Sequence, residues 1–135
     1  MTTLPTAQRI EQWLIEKLIP YARNPRTHSD IQVAQIAASI AEFGFNNPIL
    51  VDRKAGIVAG HGRLLAARKL DLSQVPVIVL DHLSEAKKRA YIIADNQLAL
   101  NAGWDDEMLQ VELAALQEDD FNLELIGFAD DELAQ

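Results

Sequence analysis

VPVIVL, residues 75 to 80, is the stretch that most limits what this chain can fold into. An unbroken apolar run of strand length, entered through turn residues Asp71 to Gln74, suits a β-strand buried on both faces. Such a strand needs a partner on each edge and a covering layer on each side. The rest of the chain has to supply them. Its 135 residues, 49% hydrophobic and 24% charged, suffice for one packed core.

The partners can be read in order. WLIEKLIP, residues 13 to 20, reads as a strand stopped by Pro20, and YARNPRTHS after it reads as a loop. Behind a cap at Ser29 or Asp30, DIQVAQIAASIAEF has helical spacing of apolar residues, with Gly44 placed for a left-handed C-terminal cap. Two short β-rich runs follow, Ile49 to Asp52 and Gly56 to Ala59, joined by Arg53-Lys54-Ala55 as a tight turn. A helix over 62–70 comes next, then the VPVIVL strand. Ser84 caps a long helix running to about Leu100 and closed by Gly103, and Asp105 caps another that runs to about Gln117. This order predicts an α+β fold, a small mixed β-sheet packed with helices, in one domain spanning 1–135. Its core would lie over about 13–103, with an acidic helical segment at 104–135.

Charge is divided along the chain. The net charge is −8, yet residues 1–103 hold all twelve Lys and Arg against nine Asp and Glu, while residues 104–135 hold eleven acidic residues and no basic one. The overall sign disfavours general binding to duplex DNA, whose non-specific affinity comes from phosphate neutralisation. The mildly basic first part still allows a local anion site. The acidic tail reads either as a solvated helix or as a segment that screens a basic face. With no cysteine, thiolate nucleophiles and Cys-type zinc sites are excluded. The three histidines have no ligand-like spacing. No apolar stretch approaches the roughly 20 residues that cross a bilayer, and the N-terminus has no secretory pattern, so the expectation is a cytoplasmic protein with no membrane partner.

Chemistry concentrates at two places. In AGHGRLLAA the strand ends at Gly60, His61 follows, and Gly62 and Arg63 open the helix. Glycines let a ligand approach the backbone, helix-start N–H groups favour an anion, and an arginine adds a forked, permanently charged contact. A plain strand–helix junction with a surface arginine has the same spacing. His61 reads as a general base, a phosphate donor or simply a turn residue.

The second place is RAYIIADNQLAL, where Asp95 and Asn96 sit inside a helix that their side chains disfavour. Arg89 and Asn96, seven apart, share a stripe with Ile92 and Ile93 between them, which predicts that they face one neighbour. A carboxylate beside a carboxamide suits Mg²⁺, a hard cation often shared with phosphates. A buried asparagine satisfied by a loop carbonyl, with Asp95 at the surface, fits the same residues.

EFGFNNPILV (42–51), GHGRLLAA (60–67) and RAYIIADNQLA (89–99), in that order, resemble the three boxes of the ParB N-terminal domain family. Gly44, Pro48 and Ile49 match the first box. Gly60, Arg63 and Ala66 match the second, in which His61 and Gly62 replace the family's Glu and first Arg. Asp95-Asn96 stands where the third box has E-N. The variant found ahead of phage and prophage DNA methyltransferases is more similar still, through YARNPRTHS, AGHGRLLAA, IADNQLA and AGWD.

The resemblance implies the ParB/sulfiredoxin fold and a nucleoside triphosphate, CTP or ATP, bound with Mg²⁺. By that resemblance Gly60, Gly62 and Arg63 would contact phosphate; the chemistry of the turn adds His61 to the nucleotide site, with Arg23, Asn24 and Arg26 of the long loop as lids. Asn96 would hold the metal, with Asp95 beside it to orient a water if hydrolysis occurs. Sulfiredoxin chemistry is excluded because it uses a cysteine in the second box. The acidic stretch from Trp104 stands where partitioning ParB proteins carry a helix-turn-helix, which is expected to be missing, and no methyltransferase motif is present, so the chain reads as an excised N-terminal domain or a stand-alone relative. DNA binding or nicking, through Arg23, Arg26, Lys87, Lys88 and Arg89, is a second expectation. A third is an interaction module for a DNA methyltransferase or another protein. A homodimer is the candidate assembly.

Overall fold

The structure, a computed structural model, describes residue 4, residues 9–24 and residues 26–128. Four strands form one mixed sheet: β1 (Glu11–Leu14), β2 (Ile49–Val51), β3 (Ile57–Ala59) and β4 (Gln74–Val79), in the order β1-β4-β2-β3. The VPVIVL segment is therefore an interior strand, as its composition requires. It pairs antiparallel with β1, Trp13 opposite Val75, and parallel with β2, Ile49 opposite Val77. The first strand is Glu11–Leu14 and not 13–20, because from Ile15 the chain turns through a 3-10 segment, Ile15–Lys17. An isolated parallel bridge from Ile19 to Gly56 then reattaches it to the sheet beyond β3.

The described residues form four α-helices: α1 (Asp30–Phe43), α2 (His61–Lys69), α3 (Glu85–Asn101) and α4 (Asp106–Glu118), of which α2 and α3 lie on the sheet. Their starts are the local signals expected. Ser29 accepts from the Gln32 N–H, Ser84 from Lys87 and Asp105 from Met108, each satisfying one orphan donor of a first turn. Gly44 closes α1 at φ 92°, while α3 closes at Ala102 and not at Gly103.

Strand alternation sorts the core into two halves. Ile49, Val51, Ile57, Val75 and Val77 point to one face and pack with Leu64 and Ala67 of α2. Val58 and Leu80 point to the other and pack with Ile92 of α3, joined by Tyr21, Leu50 and Ile78. Helix α1 lies against α2, and α3 lies against β3. Asp52 shapes the β2–β3 hairpin: its Oδ1 accepts from the N–H groups of Lys54 and Gly56, and Oδ2 from Lys88 Nζ. Beyond α3, α4 contributes no buried residue, the solvated-helix reading of the acidic tail. A 3-10 turn, Leu123–Ile126, buries Leu123, and Phe121 stacks on Phe43 of α1 with ring centroids 6.0 Å apart. The α+β expectation is met. No helix among the described residues is long and apolar enough to cross a membrane.

Candidate functional site

Strand β3 passes into α2 through one residue, Gly60, at φ 107°. A side chain is disfavoured twice there. The left-handed backbone favours glycine, and a Cβ would lie 3.1 Å from both Arg63 Nη2 and Ile49 Cγ1. The first helical bond runs from Leu64 N–H to Gly60 O at 3.0 Å, so the N–H groups of His61, Gly62 and Arg63 are the orphan donors of the helix start. Gly62 is buried, and a Cβ on it would sit 2.9 Å from His28 Cε1. The missing side chain lets the segment before α1 close over the first turn of α2.

Arg63 lies largely inside the fold. Its Nη2 donates to Pro48 O at 3.1 Å, while its Nε is buried without a partner among the described residues. Burial lowers its pKa, and the Asp95 carboxylate across the cavity acts in the opposite sense. His61 turns Nε2 toward the loop and accepts the Tyr21 N–H at 3.0 Å. Burial holds the imidazole below its ordinary 6.5, and His28 adds to the shift. The neutral ring is thus the form that this contact uses, with its proton on Nδ1.

From Tyr21 the loop folds by its own polar groups. Asn24 N–H bonds Tyr21 O at 3.2 Å, and Asn24 Oδ1 accepts from Arg26 N–H at 3.1 Å. Arg26 Nη1 then reaches Asn96 Oδ1 at 3.4 Å. Asn96 satisfies its amide locally, donating from Nδ2 to Ile92 O at 2.8 Å, one turn back in α3. The partners of this mid-helix asparagine are therefore its own helix and the loop arginine.

These groups converge. Asn24, Arg26, Gly60, His61, Gly62, Arg63, Asp95 and Asn96 line one cavity of about 230 Å³ between the loop, the start of α2 and α3. Arg23 does not: it is exposed and outside the lining, because the turn after Tyr21 directs Asn24 and Arg26 inward instead. Arg89 and Ile93 also depart from the shared-neighbour expectation. Both are exposed, Ile93 at 60%, since only Ile92 of α3 is buried against the sheet. His28, Gln32 and Ile36 join the lining without having been singled out, and Val58, Ala59 and Ala99 supply its apolar remainder. His28 and Gln32, four apart around the Ser29 cap, hydrogen-bond at 2.8 Å, and that spacing was the available signal. Among the described residues no group of three or more His, Asp or Glu converges to hold a metal ion.

Two family models match the chain. Residues 2–96 match the ParB N-terminal domain, and residues 107–135 match the ParB-methyltransferase HTH domain. The second match overturns the expectation that the helix-turn-helix is missing. Acidity hid it, and residues 129–135 of the matched segment lie outside the described residues. The ParB-like nuclease domain-containing protein YnaK of Escherichia coli K12 is 52% identical over 75 residues, covering 56% of this chain and 86% of YnaK. Among solved structures, a C-terminally truncated chromosome-partitioning ParB from Caulobacter crescentus, complexed with CTP-gamma-S, superposes with a TM-score of 0.70 at 26% identity, covering 88% of this chain and 69% of that one. Sulfiredoxin from Arabidopsis thaliana shares the fold, with a TM-score of 0.53 at 20% identity over 63% of this chain and 98% of its own.

Proposed function

Because the chain belongs to the ParB N-terminal domain family, we propose that the cavity binds the triphosphate of a nucleotide, CTP or ATP, together with Mg²⁺. The observation that carries this reading is the convergence of a helix start, two arginines and the Asp95-Asn96 pair on one cavity. Among the described residues the N–H groups of His61 to Arg63 have no acceptor, and Arg26 and Arg63 supply the positive charge that phosphates need. At about 230 Å³ the space is smaller than the roughly 300–1,000 Å³ of sites that enclose a whole drug-sized ligand. It suits phosphates and a metal, with the nucleoside held outside it.

The oxygens fit Mg²⁺. Among the described residues Asn96 Oδ1 accepts only the long contact from Arg26, and the Asp95 carboxylate is exposed at the rim. Two protein oxygens are enough where phosphate and water complete an octahedron. Bound there, the metal would neutralise charge on the phosphates. This chain's own part is to hold them at the α2 start, to balance charge through Arg26 and Arg63, and to orient a water at Asp95 if hydrolysis occurs. Together with the matched helix-turn-helix segment, this makes the protein a nucleotide-responsive domain of a DNA-segregation or DNA-modification system, with DNA and a methyltransferase as partners and a homodimer as its assembly. The name of YnaK favours a second reading, a nuclease domain, in which the same cavity grips a DNA phosphate.

Calorimetry with CTP, ATP and GTP, with and without Mg²⁺, tests the first reading. Wild type is expected to bind one of them with Mg²⁺, and Arg26→Ala to bind at least about tenfold more weakly. Absence of binding at millimolar nucleotide, or undiminished binding by both Arg26→Ala and Arg63→Ala, would refute it. Metal-dependent cleavage of DNA without nucleotide binding would favour the second.

A further inference from the structure

Of the described residues between Tyr21 and His28, Asn24, Arg26 and His28 line the cavity. Upstream, Ile19 is fixed to the sheet, donating to Ala55 O and accepting from Ile57 N–H, both at 2.8 Å. Downstream, Ser29 starts α1. Between these points, and among the described residues, two hydrogen bonds join the segment to elements other than α1. One is Tyr21 N–H to His61 Nε2 and the other is Arg26 to Asn96. The second is the longer, at 3.4 Å, and uses the very groups a ligand would compete for. Of these two hydrogen bonds, Tyr21–His61 is the one that a ligand leaves alone, and it acts beside the Tyr21 ring packed with Val58, Leu80 and Ile92 and beside His28 lying against Gly62.

We propose that His61 is a positioning residue, whose Nε2 fastens the Tyr21–His28 loop to the start of α2 and so holds Asn24 and Arg26 at the cavity. The bonds beyond it depend on that point. Tyr21 O accepts the Asn24 N–H, Asn24 Oδ1 accepts the Arg26 N–H, and Arg26 then faces Asn96. Release of the Tyr21 amide therefore loosens a run of local bonds ending at the arginine. Histidine suits the task because its rigid ring carries an acceptor about three bonds beyond Cβ, and because Gly60 at φ 107° turns the first helical residue toward the loop. The role is distinct from a general base, since the nitrogen facing the loop is already occupied. It rests on the nucleotide reading for its purpose but not for its existence.

Limited trypsinolysis without nucleotide reads the fastening directly, since Arg23 and Arg26 supply cleavage points within the loop. His61→Ala is expected to speed cleavage there about five- to tenfold, with helicity and cleavage elsewhere unchanged. His61→Gln, whose Oε1 can accept the same N–H, is expected to restore protection. Calorimetry with CTP or ATP and Mg²⁺ on the same three proteins then reads its purpose: weaker binding by the alanine variant and recovery by the glutamine. Equal cleavage of wild type and His61→Ala overturns the proposal. So does a glutamine variant as labile as the alanine one, or a released loop that leaves nucleotide affinity unchanged. If wild type binds no nucleotide while the cleavage pattern is as expected, the fastening stands and only the nucleotide reading falls. If His61→Ala is globally unfolded, the Gln variant decides: loop protection equal to wild type upholds the proposal, and its loss overturns it.

Discussion

Arg26 and Asn96, seventy positions apart in sequence, meet at 3.4 Å across the cavity, Nη1 to Oδ1. The pair joins the loop to α3 and places the guanidinium beside the oxygen proposed for the metal. Replacing the arginine frees that oxygen but removes the charge that faces the phosphates, and the second effect dominates because charge-assisted contacts are the stronger ones. Arg26→Ala should therefore weaken Mg²⁺-nucleotide binding by about 1.5–3 kcal/mol. Arg26→Lys should fall between, keeping a point charge without the fork. Calorimetry at low and high salt checks both.

Gly60 tests the backbone. Gly60→Ala puts a Cβ at φ 107°, 3.1 Å from the Ile49 side chain in the core and from the Arg63 guanidinium. A cost of about 1–3 kcal/mol in unfolding free energy is expected. Displacement of Arg63 should also weaken any anion bound at the cavity. Urea denaturation measures the first effect and phosphate or nucleotide titration the second.

Asp52 governs the acid limb of stability. Burial would raise its pKa, but the hydrogen bonds from Lys88 and from the Gly56 and Lys54 amides outweigh it and set the folded value below the ordinary 3.8. A carboxylate depressed on folding contributes fully above its unfolded pKa, and the contribution is lost as pH falls from there through the folded value. Asp52→Asn should therefore flatten the decline in thermal stability below about pH 4. At pH 7 it should cost about 1–3 kcal/mol, because Oδ1 can still accept from Lys54 and Gly56 but an amide nitrogen cannot accept from Lys88 Nζ.

The His61 contact has the same sign of pH dependence in a different window, with the neutral form as the one that bonds. Its folded pKa lies below 6.5, so the neutral acceptor is complete above that value and is lost as pH falls through the lower folded value. The charged and titratable groups lining the same cavity are Arg26, His28, Arg63 and Asp95, and Tyr21 is the residue it holds. Burial and the neighbouring His28 oppose a charge on His61. Loop cleavage, followed with an acid-tolerant protease, should accelerate on acidification below pH 6.5 in wild type and stay level in His61→Gln.

What could be read from the sequence was local. Ser29, Ser84 and Asp105 as caps, Gly44 as a closing residue and the interior strand at residues 75–80 each depend on neighbours within a turn or on hydrophobic pattern. The eight cavity residues anticipated around Gly60, Asn24 and Asp95 came from motif order. The first strand was displaced because pairing with Val75 and Val77 decides where β1 begins, and nothing within WLIEKLIP records that pairing. Arg23 and Arg26 could not be separated without the turn at Tyr21. The Tyr21–His61 bond spans forty residues and uses a backbone amide, so no side-chain pattern announces it.

Helix α2 buries Gly62, Leu64, Ala66 and Ala67 within nine residues, whereas the seventeen residues of α3 bury only Ile92. A close-packed helix resists displacement, and one with few buried contacts yields readily. The cavity thus has an immovable floor and two adjustable walls. A ligand there would press on the loop and on α3, while the C-terminal segment is reached in space through α1, where Phe43 stacks on Phe121.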